Sequence, residues 1–216
     1  VYGVEVQVIP FDLGDDDALE SFAAELELGG HIGILVNNAG FGSGKPFSAD
    51  SYPNQERMLK VHIDASTRLA HAVLPGMKSR GEGAIINVAS LAGFVPNPAD
   101  ALYSATKAYL IRFSESLQLE LAGTGIRIQA LCPGFIRTEF HERLGKGKEF
   151  NRKSRGIFQW MEAGQIVEYS LSALESHWSR VVVVPGLFYK LLYRLNQLLP
   201  RRVAYAQILK RYRARE

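Results

Sequence analysis

The feature that most limits how this chain can fold is the regular alternation of short apolar runs with longer helical patterns. The runs are residues 4–9, 32–36, 84–89, 126–131 and 181–184, each rich in valine, isoleucine or leucine, and each has the length of a buried strand. Helical patterns lie between them. Asp15, Asp16 and Asp17 suit a helix N-terminus, where carboxylates meet the positive end of the dipole, and Leu19, Phe22, Ala23 and Leu26 recur at helical spacing until Gly29-Gly30. Residues 52–77 predict a second helix with Leu59, Ile63, Leu69, Ala70 and Val73 on its buried face, residues 101–122 a third closed by Gly123, and residues 164–176 a fourth. Strands that alternate with helices predict an α/β domain with a parallel sheet and helices on both faces.

Four of the five strand runs end in residues that suit a ligand site. Asp12 follows the first, Asn37-Asn38-Ala39-Gly40 the second, Ser90 the third, and Pro133-Gly134 with Thr138 the fourth. In an open α/β sheet ligands bind beyond the carboxyl ends of the strands, so these clusters converge on one edge. Tyr103 and Lys107 stand four residues apart on the third helix and therefore share a face. An ammonium beside a phenol favours the phenolate and is expected to lower the tyrosine's pKa. Ser90 is then placed to hold a carbonyl oxygen next to that phenol. Cys132 reads as a small buried apolar residue.

Taken together, Asn37-Asn38-Ala39-Gly40, Ser90, Tyr103-Ser104-Ala105-Thr106-Lys107 with thirteen residues from serine to tyrosine, and Pro133-Gly134 with Thr138 resemble the short-chain dehydrogenases/reductases. The resemblance runs over about residues 4–186. It implies a Rossmann-like doubly wound sheet and hydride transfer between NAD or NADP and a carbonyl or alcohol. It also implies Tyr103 as acid/base, Lys107 as the residue that tunes it and binds the nicotinamide ribose, and Ser90 as the group that positions the substrate oxygen. By the same resemblance Asp12 and Leu13 flank the adenine, Asn38, Ala39, Gly40 and Val61 line the cofactor, and Pro133, Gly134, Ile136 and Thr138 lie by the carboxamide. No metal is expected. His62 stands where the family usually has an asparagine that relays protons to the lysine. It is read either as a relay through its ring or as a tolerated helix residue.

A second departure is that residues 4–9 correspond to the family's third strand. The first two strands and the glycine-rich turn that normally faces the pyrophosphate are not in the sequence. The sequence is therefore expected to be an N-terminally truncated fragment with an open sheet edge at residues 32–36. A non-catalytic scaffold that keeps the fold for binding is the competing class, and intact Ser90, Tyr103 and Lys107 argue against it.

Domain organisation reads as one catalytic domain, residues 1–188, followed by a basic amphipathic tail, residues 189–216. The tail carries eight Lys or Arg against Glu216 alone, a formal +7, and leaves −4 for the residues before it. With the leucine-rich run after Gly186 it suits a substrate cover, an oligomer contact, a membrane-surface anchor or a solvated appendage. Residues 138–169 mix basic and large apolar side chains and read as a lid. Lid and tail favour a hydrophobic, acyl- or lipid-like carbonyl or alcohol substrate. A homo-oligomer is expected. A nucleic-acid partner is not, because the basic residues lack a matching fold or a row of stacking aromatics. One cysteine and no run of membrane-spanning length fit a cytoplasmic protein, with peripheral membrane contact through the tail as a further option.

Overall fold

The computed structural model describes residues 3–29, 31–140, 160–176 and 180–214. Four parallel strands form the sheet in the order β1-β2-β3-β6: β1 (Ile34–Asn37), β2 (Gly83–Val88), β3 (Ile126–Leu131) and β6 (Val182–Val183). A small parallel pair, β4 (Ile136–Arg137) with β5 (Met161–Glu162), sits beside its carboxyl end. Among the described residues the helices are α1 (Asp16–Gly29), α2 (Tyr52–Leu59), α3 (Ala65–Arg80), α4 (Ala101–Glu120), α5 (Ala163–Glu175), α6 (Leu187–Leu198) and α7 (Arg201–Arg213).

Side chains that alternate across β2 separate two cores. Ile85 packs with Ala70, Val73 and Met77 of α3, Leu117 of α4, and Ile126 and Ile128 of β3. Ala84 and Ile86 point the other way, toward Ile166 and Leu174 of α5. Both faces are thus covered by helices, as the alternating pattern predicts. α1 lies outside α3, with Leu19 against Ala65 and Leu69. A buried polar chain fastens the carboxyl ends together. Asn37 Nδ2 donates to Asn87 Oδ1 at 2.8 Å, Asn87 Nδ2 donates to Ser114 Oγ at 2.9 Å, and Ser114 Oγ donates to Leu110 O at 2.7 Å. Three elements are held by amide groups that would be expensive to bury unpaired.

Residues 4–9 differ from expectation. They form no strand, and Val4, Val6 and Val8 are 71%, 74% and 80% exposed. A strand needs a ladder partner, and among the described residues β1 pairs only with β2, on its other side. Ile34 and Val36 of that open edge strand are about half exposed. The long helix expected over residues 52–77 is instead α2 and α3 joined by a π turn at Lys60–Asp64, and it runs on to Arg80. Of the lid read over residues 138–169, positions 141–159 lie outside the described residues. The tail begins inside the body: Tyr189, two residues into α6, is 2% exposed.

Candidate active site

Ser90 follows the end of β2 and opens the short 3₁₀ turn Leu91–Phe94, and its Oγ accepts from Ala92 N at 3.1 Å. Leu91 N donates to Pro133 O at 3.1 Å, which joins this loop to the one after β3. Tyr103 and Lys107 occupy successive turns of α4, one above the other, and Lys107 Nζ lies 5.7 Å from the centre of the Tyr103 ring. Lys107 is buried and donates to Val88 O at 2.8 Å, so its head is held at the carboxyl end of β2.

The electrostatics are governed by burial. Desolvation pushes the Tyr103 phenol up to about 12, with a hydrogen bond from Ser90 opposing it and the Asp100 carboxylate adding to it. The direction is opposite to the one expected from the lysine pairing, because burial dominates and what opposes it is the Ser90 hydrogen bond rather than the lysine charge. Desolvation likewise brings the Lys107 ammonium down to about 8. At neutral pH Tyr103 therefore holds its proton and Lys107 keeps most of its charge. That is the state of a proton donor beside a cation. Cys132 is fully buried, and burial pushes its thiol upward, which leaves it inert as a nucleophile.

His62 sits in the π turn, 1% exposed. Phe41 N donates to its Nε2 at 2.9 Å, so the ring proton is on Nδ1, which donates to Thr106 Oγ1 at 2.9 Å. Thr106 Oγ1 in turn donates to Tyr103 O at 2.9 Å. Burial and the Lys107 charge bring the imidazole down to about 3, so it is neutral at physiological pH.

One cavity of about 1640 Å³ gathers most of the residues singled out from the sequence: Ser90, Tyr103, Lys107, Asn38, Gly40, Pro133, Gly134, Ile136 and Thr138 all line it. Ala39, Val61, Asp12 and Leu13 do not. Asp12 accepts from Gly14 N at 2.9 Å and pairs with Arg57 at 2.9 Å, while Leu13 packs against the cluster of Leu19, Ala65 and Leu69. The lining residues fit the nicotinamide end of a dinucleotide. A Cβ at Gly40 would stand 3.0 Å from His62 Nε2 and 3.4 Å from Lys107 Nζ, so the bare backbone there lets a planar group approach the lysine. The phosphate end has no counterpart at α1, whose first turn is acidic. Among the described residues no cluster of side chains could hold a metal.

Three residues of the site escape sequence reasoning. Asp100, buried at 7%, accepts from Ser43 N at 3.4 Å, Ser43 Oγ at 3.3 Å and Gly44 N at 3.2 Å, and so ties the loop after β1 to the start of α4. A Cβ on Gly93 would come within 2.8 Å of the Lys107 carbonyl carbon and 2.9 Å of Ala108 N, so only glycine lets the Ser90 loop lie on α4. Its spacing of three from Ser90 is a signal that could have found it. Tyr189 lies across Gly134 and its Oη accepts from Phe135 N at 3.2 Å, a contact with no local signature.

Comparison with known proteins points the same way. A model of the short chain dehydrogenase family matches residues 2–149. The very-long-chain 3-oxoacyl-CoA reductase of Anas platyrhynchos is 37% identical over 143 residues, which cover 64% of this chain and 46% of that protein. Sulfoacetaldehyde reductase of Chromohalobacter salexigens is 37% identical over 141 residues, 63% of this chain and 55% of that one. The chain spans about half the length of the curated relatives it matches. Among solved structures, a short-chain dehydrogenase from Sphingobium yanoikuyae in complex with NADPH superposes with a TM-score of 0.75 at 33% identity, over 85% of this chain and 69% of that one. The bulky-bulky ketone specific alcohol dehydrogenase of Comamonas testosteroni gives 0.73 at 28% identity, over 95% and 75%. With serine, tyrosine and lysine brought to one cavity at the carboxyl edge of a parallel sheet, and a family match over more than half its length, this chain belongs to the short-chain dehydrogenase family.

Proposed function

We propose that the protein interconverts a carbonyl and an alcohol with NAD or NADP, on a hydrophobic, acyl- or lipid-like substrate, with Tyr103 as the proton donor. The observation that carries this reading is the placement of Ser90, Tyr103 and Lys107 on one cavity wall. In the reductive direction the Tyr103 phenol gives its proton to the carbonyl oxygen as charge develops there. Ser90 Oγ, held toward the phenol by the Ala92 amide, hydrogen-bonds the same oxygen. Lys107, fixed by Val88 O, offers a positive charge that stabilises the phenolate left behind.

Asn38, Gly40 and Lys107 would hold the nicotinamide ribose, and Pro133, Gly134, Ile136 and Thr138 would lie along the carboxamide. When bound, the cofactor supplies the hydride. For His62 the geometry supports positioning over a proton relay. Both ring nitrogens are engaged within the protein, and the ring ties Phe41 on one side to Thr106 on the other.

The substrate class rests on the rest of the cavity's lining. Phe94, Leu192, Tyr193, Leu195, Leu199 and Ile208 line the same cavity as Tyr103, and a lining of this kind favours an apolar chain over a polar one. The avian relative's name, with its very-long-chain 3-oxoacyl group, fits the same chemistry. A series of ketones of increasing chain length, followed by nicotinamide absorbance with each cofactor, tests the reading. Rates should rise with chain length and vanish in Tyr103→Phe. Equal rates in the variant, or preference for short polar carbonyls, would overturn it.

A further inference from the structure

The C-terminal helical pair has two chemically distinct faces. On α6, Tyr189, Tyr193 and Asn196 follow helical spacing and meet the body. The rings of Tyr193 and Phe94 are 4.5 Å apart, and Asn196 Nδ2 donates to Phe94 O at 3.2 Å. The opposite face carries Leu187, Leu191, Leu195 and Leu198, also at helical spacing and 83%, 56%, 47% and 81% exposed. A continuous leucine stripe turned to water is a surface in want of a partner. Residues 187–214 also hold Lys190, Arg194, Arg201, Arg202, Lys210, Arg211 and Arg213 without a single carboxylate, while the rest of the chain carries a net −4.

We propose that this face docks on an anionic phospholipid bilayer, with the leucines of α6 entering the acyl region and the cations of both helices meeting lipid phosphates. Charge complementarity selects this occupant. A second copy docking through the same face would set like charges against like, Arg194 beside the leucines among them. An acidic protein would answer the charge, but the cations are strung along both helices rather than gathered round a pocket, as an extended negative plane requires. The stripe also adjoins the cavity: Leu195 belongs to both, and Leu192 and Leu199 line the cavity beside it. A lipid-like carbonyl compound could then pass from the bilayer to Tyr103 with little contact with water, a step that rests on the function proposed above.

Co-sedimentation of the whole chain with phosphatidylcholine vesicles, with and without phosphatidylglycerol, tests the docking without any turnover. Binding should require the anionic lipid and weaken as salt rises. The double variant Leu191→Glu/Leu198→Glu changes exposed residues that do not line the cavity, and it should lower partition by about tenfold or more. Arg194→Glu/Arg201→Glu should weaken it as well, with circular dichroism as the fold control. Equal binding to neutral vesicles, no binding to either, or variants that bind like the parent would overturn the proposal. So would a dimer, seen by sedimentation velocity, that the leucine variant splits while vesicles are ignored. Turnover of a short water-soluble ketone is read in parallel. Turnover without vesicle binding overturns the docking alone, and vesicle binding without turnover overturns the proposed chemistry alone.

Discussion

His62 Nδ1 and Thr106 Oγ1 stand 2.9 Å apart, and that bond joins the π turn between α2 and α3 to the helix that carries Tyr103 and Lys107. The imidazole is buried as the neutral base, with its pKa depressed to about 3. An unfolded histidine takes up a proton near its ordinary value of about 6.5, so the stability this burial allows is present above that pH and is lost as pH falls toward 3. The slope contributed by this one group is about 1.4 kcal/mol per pH unit in that window. Denaturant midpoints at neutral and mildly acid pH should show a steeper acid loss in the parent than in His62→Asn. A ring that stays neutral throughout the working range also predicts a pH–rate profile for His62→Asn that keeps the parent's shape, with a lower overall rate.

Tyr103, held near 12, is protonated throughout the neutral range. Reduction should therefore show no loss from this group up to pH 8, whereas alcohol oxidation, which needs the phenolate, should climb with pH. Lys107 loses its charge above about 8, so reduction should decline as pH rises through that value. Steady-state rates in both directions over the alkaline range check the two signs. Tyr103→Phe should lower turnover by about a thousandfold while nicotinamide fluorescence still reports cofactor binding.

Asp100 predicts a split between binding and chemistry. Its carboxylate receives two backbone amides and a hydroxyl from residues 43 and 44, and leaving those donors unmet costs about 1–3 kcal/mol. Asp100→Ala should loosen the loop at the cavity mouth and raise KM more than it lowers kcat. Initial rates over a substrate series, with a thermal melt alongside, measure both effects.

Gly93 predicts the reverse. An alanine there would press the Ser90 loop away from α4, because the methyl would meet the Ile111 side chain at 2.7 Å and, beside it, backbone atoms of Lys107 and Ala108 that cannot move aside. Gly93→Ala should therefore reduce kcat more than it changes KM, by moving Ser90 away from the phenol, and lower the thermal midpoint.

Much of this site could be read from the sequence because its parts are local. Tyr103 and Lys107 are one helical turn apart, and the clusters after β1, β2 and β3 are written in adjacent residues, so topology carries them to one edge. Residues 4–9 show the limit of local pattern: three valines at alternate positions look like a strand wherever they occur, but a ladder partner decides whether they become one. The reversed direction of the Tyr103 shift was hidden for a related reason. Spacing reveals the lysine beside the phenol, whereas desolvation depends on what closes over it from distant parts of the chain. Asp100 was hidden too, since its partners lie 56 and 57 residues earlier.

The hydrogen bond from Phe135 N to the Tyr189 hydroxyl bears on the order in which the molecule is made. Phe135 leaves the ribosome 54 residues ahead of the side chain that receives its amide, and chains fold from the N-terminus while synthesis continues. β1, β2 and β3 can therefore pair and the Tyr103 helix can dock while the loop at Gly134 still has no ring to rest against. A nascent chain halted before α6 should expose that loop to protease, and one that has released α6 should protect it.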